Sequence, residues 1–414
     1  MKRTQVFTPN DLPTVTLVGD HLKEKRKTLE ENLEIGGSVI VISGPSKSGK
    51  TVFVESVLGR DNLVHVSGAN IITAEELWRR IFTAIGTPIP STVLESKISE
   101  VSSVASIEGG VPLLTKGAVN LGGKWTNTGS TTTDVRPDYL ALLVAELKDS
   151  GLVVFVDDFH YIGKEIQIQV AEVIKEAVRQ GVRFILAAVP YHSDDVVIAN
   201  ADLRGRMLNL DFDYWNAPEL AKIALQGFKE LNMNVSNSII SAFAMEAAGS
   251  PQLMQSLCLN LCFEVEITET MPNEFLVEGT LQLIDKICRR AAQTNDYRSV
   301  IRVMKEGPKV RGTDRKPYVL KDQTASDVYP ILVRALKLPP PQLTLSYPDL
   351  LKRISEVCLQ DHPQGSSVTG ACAHMSALAN DAANAAIMEW DPDKDVLDIR
   401  DPYLLFALRW SESS

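Results

Sequence analysis

Two short stretches of this sequence hold residue types that can do chemistry together. The first runs Gly44, Pro45, Ser46, Lys47, Ser48, Gly49, Lys50, Thr51, and meets the spacing Gly-x-x-x-x-Gly-Lys-Thr. Glycines at both ends let backbone N–H groups close around phosphate oxygens. Lys50 is long enough to reach the β and γ phosphates of a nucleoside triphosphate, and the Thr51 hydroxyl is a ligand for Mg²⁺. The second stretch is "VVFVDD", residues 153–158. Its four apolar residues read as a buried strand, which leaves Asp157 at the carboxyl edge, where open α/β sheets bind ligands. A carboxylate there can hold Mg²⁺ beside Thr51. Asp158, next in the chain, can orient or deprotonate an attacking water. The cofactors these residues call for are a nucleoside triphosphate and Mg²⁺.

Such residues need a scaffold. "SVIVIS" (38–43) is β-branched and apolar, and reads as a buried strand that delivers the chain into the loop. "TVFVESVLG" (51–59) then reads as a helix closed by Gly59. Further strands are expected at 62–68, 182–190 and 206–212. Helices are expected at 73–86, 137–151 and 165–181, with Thr73 and Glu76 forming a capping box. Alternating strands and helices imply an α/β fold, a parallel sheet sandwiched by helices. Residues 1–212 form this core, and 213–293 read as an all-helical lid. Residues 294–325 read as a polar, basic linker, and 326–414 as a winged-helix-like domain of three helices and a hairpin. Residues 95–133 are rich in Ser, Thr and Gly and lack a helical period. They read as an insertion, either an assembly or partner contact or a disordered loop.

Composition narrows the class. The chain has 414 residues, 44% of them hydrophobic, which excludes a disordered protein. No apolar run is long enough for a membrane helix, and the first residues lack the apolar stretch of a signal peptide. Five irregularly spaced cysteines point to a reducing, cytoplasmic setting. A net charge of −10 gives no global attraction to nucleic acid. The local exception is 302–321, with Arg302, Lys305, Lys309, Arg311, Arg315, Lys316 and Lys321. This run is either a solvated linker or a contact for nucleic acid or for a neighbouring subunit. Between Arg353 and Lys394 there is no Lys or Arg, so the expected third helix of the winged domain is poorly equipped to read DNA.

The order of these motifs resembles the AAA+ and STAND branch of P-loop ATPases, in particular archaeal-type STAND and origin-recognition-like AAA+ chains with a C-terminal winged helix. The resemblance covers about residues 1–300 and the segment "IRDPYLLFALRW" (399–410). It implies a γ-phosphate sensor near Tyr191, His192 or Ser193. It also implies an inter-subunit arginine finger at Arg204 or Arg206, hence a homo-oligomer. In "AAGSPQLMQSLC" (247–258), Pro251 falls where STAND proteins pack a proline on adenine, and Gln252 stands where many AAA+ chains have a sensor arginine. "TVTLVGDHL" (14–22) falls where the base pocket would lie. The nucleotide that the resemblance implies is ATP, and the implied function is a slow regulatory ATPase that controls assembly or a separate effector protein, as in bacterial defence or signalling systems. The alternative is a DNA-associated AAA+ ATPase of the origin-recognition or transposition-regulator type.

Overall fold

The computed structural model describes residues 1–87, 137–188, 206–294, 296–309, 312 and 314–411. The insertion at 95–133 and the residues Tyr191, His192, Ser193 and Arg204 lie outside these described residues.

Five parallel strands form the central sheet: β1 (Val39–Ser43), β2 (Leu63–Ser67), β3 (Val153–Asp157), β4 (Arg183–Ala188) and β5 (Met207–Asp211). Their spatial order is β2-β3-β4-β1-β5. Ile40 of β1 lies between Ile185 of β4 and Leu208 of β5, and every residue of β1 is buried. Continuous burial is what a run of Val and Ile provides when both faces are covered. Because β4 separates β1 from β3, the loop leaving β1 and the acid ending β3 are about two strand spacings apart, about 10 Å. The helix Lys50–Leu58 must bridge that gap. At the flanking helix Ala74–Ile85, Thr73 accepts the Glu76 N–H at 3.2 Å. The Glu76 carboxylate completes no capping box. It accepts from Ile72 N and pairs with Arg80 at 2.7 Å, the better charge partner.

The lid is built on the helices Ala217–Glu230, Asn237–Glu246, Pro251–Glu264 and Leu281–Ala292. It is not all helical. Met233–Val235 and Phe275–Val277 pair as a short parallel ladder, which satisfies backbone groups where the interhelical segments meet. The N-terminal residues Val6, Phe7 and Val18 belong to this lid's core, not to that of the sheet. Phe7 meets Phe228 edge-on at 5.1 Å between ring centroids.

The C-terminal part is a winged helix. The helices Val328–Leu336, Tyr347–Val357 and Ser366–Ala383 precede an antiparallel hairpin, Met388–Asp391 with Val396–Ile399. Thr344–Ser346 adds the third strand. The expected linker is largely folded into this unit. Arg298–Glu306 is a helix whose Val300, Ile301 and Met304 join the winged core, as do Tyr318 and Leu320. A last helix, Pro402–Trp410, faces two ways. Leu404, Leu405, Ala407 and Leu408 pack in the winged core, and Tyr403 and Phe406 pack in the lid. At its end Arg409 clasps Glu246 of the lid at 2.6 and 2.9 Å, and Trp410 Nε1 donates to the same carboxylate at 2.6 Å. Among the described residues no helix is long and apolar enough to cross a membrane.

Candidate functional site

The loop after β1 is shaped by close approach and by left-handed backbone. A Cβ on Gly44 would lie 2.5 Å from that of Phe212, so only glycine fits where the loop leaves the sheet. Lys47 (φ 60°) and Gly49 (φ 92°) turn the chain inward before the helix Lys50–Leu58 begins. No side chain caps that helix start, and its open N–H groups are suited to an anion. Lys50 Nζ donates to the carbonyls of Gly44 and Pro45 at 2.7 and 2.8 Å. Burial lowers its pKa to about 8, with Asp157 and Asp158 opposing that shift. A phosphate would give this ammonium a full counter-charge. The cradle and its donors therefore fit a nucleotide polyphosphate.

The acidic end of β3 meets the loop from the other side. Thr51 Oγ1 donates to Asp157 Oδ2 at 2.6 Å. Asp157 Oδ1 accepts the Asp158 N–H at 2.9 Å, and His65 Nε2 stands 3.7 Å from Oδ2. Burial pushes the Asp157 pKa up, but His65, the Thr51 hydrogen bond and the charge of Lys50 together outweigh it and hold the carboxyl below its ordinary value. An ionised carboxylate touching a hydroxyl is a donor set suited to Mg²⁺. Asp158 differs. Burial and the charge of Asp157 raise its pKa, as suits a proton acceptor. It adopts left-handed backbone, φ 56°. Gly68 sits against it: a Cβ there would fall 2.6 Å from the Asp158 carbonyl oxygen.

A cavity of about 920 Å³ opens over these groups. Its walls include Lys50, Asp157 and Asp158 from the core, and Thr16–Asp20 from the segment expected near the base. Pro251 lies on the lid wall with Gln252, its Cγ 3.8 Å from where a Cβ on Gly49 would be. The winged unit supplies Ile387, Arg400 and Asp401.

Several contributors escaped the sequence reading. Trp215 Nε1 donates to Ser48 O at 3.0 Å and ties the lid to the loop. Gln255, buried on the lid helix, donates to Thr16 Oγ1 at 2.8 Å and accepts from Thr8 N at 3.0 Å, which fixes the N-terminal wall. Lys47 Nζ pairs with Asp401 at 2.9 Å. Asp-Pro before an apolar run, at 401–402, is a legible helix start, but nothing local marks Asp401 as a partner of the loop. Arg206 does not join the site of its own chain. It is exposed beside the start of β1, where its carbonyl accepts from Val39 N at 2.9 Å, at the sheet edge opposite the loop.

The basic run is partly consumed by the fold. Arg315 bonds Glu306 O and Asp327, both at 2.9 Å, and lies over the Tyr329 ring. Lys316 pairs with Asp361 at 2.6 Å. Arg302 and Lys309 remain exposed.

A phosphate loop after β1, an acid on a strand two positions away, a helical lid and a winged helix make up the fold of an AAA+ P-loop ATPase. Among solved structures, the Walker-type ATPase of Pyrococcus abyssi is similar over 94% of this chain and 95% of its own, with a TM-score of 0.50 and 14% identity. At that identity the likeness is one of fold. The ORC2 protein of Aeropyrum pernix matches 98% of this chain and 96% of its own at a TM-score of 0.49 and 14% identity. Cdc6p of Pyrobaculum aerophilum has the same coverage and identity at 0.46. No protein-family model and no curated protein matches the sequence.

Proposed function

We propose that this chain binds ATP with Mg²⁺ between sheet and lid, hydrolyses it slowly, and uses the bound state to set the position of its winged unit. The supporting observation is the composition of the cavity wall, which includes Lys50 of the loop, Pro251 of the lid and Asp401 of the winged unit. In this reading Lys50 and the loop amides of 44–51 hold the phosphates. Thr51 and Asp157 hold Mg²⁺, which would neutralise phosphate charge. Asp158 accepts the proton of the attacking water, and Pro251 with residues 16–20 packs on the base. Asp is one carbon shorter than the usual Glu, which favours slow turnover. Arg204 or Arg206 would act on a neighbouring subunit in a homo-oligomer. We divide the chain into a core to 212, a lid of 213–293 to which the N-terminal segment is bound, and a winged unit that takes in the former linker.

Of the two settings left open by the sequence, the DNA-associated one has the firmer support. The C-terminal unit is a winged helix, and the exposed Arg302 lies on the helix Arg298–Glu306 that belongs to its core. Contact would run through phosphates from this helix and Lys309, not through base reading by Ser366–Ala383. The other setting, control of a separate effector in signalling or defence, rests on the resemblance of sequence motifs. One experiment addresses both levels. Phosphate release from Mg²⁺–ATP is measured with the full chain, with and without duplex DNA, at two salt concentrations. Release that Asp158→Asn abolishes supports the ATPase. DNA retention falling steeply with salt supports the DNA setting. No release above that of Asp158→Asn removes the first, and salt-independent or absent retention removes the second.

A further inference from the structure

Asp401 is a buried carboxylate in the wall of the cavity over the phosphate loop. Three groups hold it. Lys47 Nζ lies 2.9 and 3.2 Å from its two oxygens, Tyr297 OH donates at 2.5 Å, and Tyr403 N donates at 3.0 Å as the cap of the helix Pro402–Trp410. The Lys47 ammonium also lies 4.2 Å from the centroid of the Tyr403 ring. Lys47 is thus a cation of the phosphate loop whose charge is engaged by the winged unit. A nucleotide entering beside Lys50 brings several negative charges next to this carboxylate and offers Lys47 another partner. Charges of one sign in a shared cavity repel. Asp158, Tyr161 and Asp401 line the same cavity, with Arg400 beside them.

We propose that Asp401 competes with nucleotide phosphate for Lys47, so that nucleotide binding at the loop and docking of the winged unit on that loop oppose each other. This rests on the reading of the loop as a nucleotide site. The two ends of the helix Pro402–Trp410 give the competition a route outward. Its first turn is held by Asp401, and its last residues are held on the lid through Arg409 and Glu246. When Lys47 turns to phosphate, the first end is released and the second keeps its hold. By linkage, the factor by which docking weakens nucleotide binding equals the factor by which nucleotide weakens docking.

The test uses the full chain, titrated with Mg²⁺–ADP and Mg²⁺–ATP by calorimetry. Asp401→Asn keeps the size and the helix-capping oxygen and removes the charge. Affinity should rise on the order of fivefold or more, the lower range of allosteric couplings, with ATP gaining at least as much as ADP. Unchanged or weaker affinity in a folded Asp401→Asn chain overturns the proposal. Hydrogen exchange of the wild-type chain gives an answer even where that variant does not fold. Added Mg²⁺–ADP should speed exchange of the first-turn amides of 402–410, and slower or equal exchange overturns the proposal. A wild-type chain that binds neither nucleotide removes the site reading and this proposal together. Wild-type binding with no response at Asp401 or in 402–410 removes this proposal alone.

Discussion

Thr51 and Asp157, 106 residues apart, share a hydrogen bond of 2.6 Å that closes the gap left by the intervening strand β4. The hydroxyl donates its hydrogen to the carboxylate oxygen, and a metal ion between them would instead take a lone pair from each oxygen. Thr51→Ala and Asp157→Asn should therefore weaken nucleotide binding in the presence of Mg²⁺ and leave binding with EDTA nearly unchanged. Asp157→Asn should do more damage, since it removes a full negative charge from the donor set of the metal, whereas Thr51→Ala removes a neutral oxygen. Calorimetric titrations with and without Mg²⁺ check this. Equal losses in both conditions would remove the metal role.

Lys50 gives opposite pH signs to stability and to binding. Burial lowers its pKa to about 8, below the ordinary lysine value of 10.5. Between those two values the unfolded chain holds more protons at this residue than the folded chain. Its contribution to stability therefore rises with pH from about 8 to about 10.5. Nucleotide binding needs the charged form and should weaken over the same range. Thermal melting and titration at pH 7.5 and 9.5 check the pair of signs, and Lys50→Met should flatten the Lys50 part of both.

Asp158 should separate binding from turnover. Asp158→Asn should keep nucleotide affinity within about twofold and lower phosphate release about a hundredfold or more, the lower range for loss of a general base. Burial and Asp157 raise the pKa of this carboxyl, so wild-type turnover should fall on acidification at a pH above the ordinary aspartate value. A variant that loses binding and turnover together would make Asp158 a ligand of the nucleotide.

Much of this centre was legible because its parts are local. Gly44, Gly49, Lys50 and Thr51 lie within eight residues, and Asp157 and Asp158 directly follow the strand that carries them. The strands follow from five runs rich in apolar residues, but their spatial order β2-β3-β4-β1-β5 does not. What escaped depends on meetings between distant segments. Gln255 and Thr16 are 239 residues apart, and Lys47 and Asp401 are 354 apart. Neither pair has a sequence signature. The ladder Met233–Val235 with Phe275–Val277 has three residues a side, too short for a period. The helix Arg298–Glu306 was hidden by its charge. Arg302 and Lys305 give the segment the polarity of a linker, while Val300, Ile301 and Met304 form its core-facing stripe.

Arg206→Ala and Arg204→Ala test action between subunits. Arg206 stands at the edge of the sheet away from its own loop. A role in turnover would therefore be played on a neighbour. Turnover per chain should rise with protein concentration in the wild type and lose that rise in the active variant, with nucleotide affinity of the dilute chain preserved. Equal activity loss at all concentrations would contradict action in trans. Arginines acting in this way stabilise transition-state charge by about 10³-fold or more.

Gly227 ties the fold of the lid to the wall of the cavity over the phosphate loop. It lies inside the helix Ala217–Glu230, where glycine normally costs up to about 1 kcal/mol relative to alanine. A propensity argument alone makes Gly227→Ala stabilising. Packing reverses the sign. A Cβ at this position would run into the ring of Phe7 and lie 3.0 Å from Thr16 Cγ2. Phe7 is fully buried against Phe228, and Thr16 is held by Gln255, so neither can yield without moving the N-terminal segment. Overpacking of this kind costs about 1–3 kcal/mol, which exceeds the helical gain. Gly227→Ala should lower the melting temperature. It should also weaken nucleotide binding, because residues 16–20 of the displaced segment line the cavity. Phe7→Leu in the same chain makes room for the methyl group. The double variant should be more stable than the sum of the two single losses. Strict additivity would mean that Gly227 and Phe7 act independently, and that the N-terminal segment is held by other contacts.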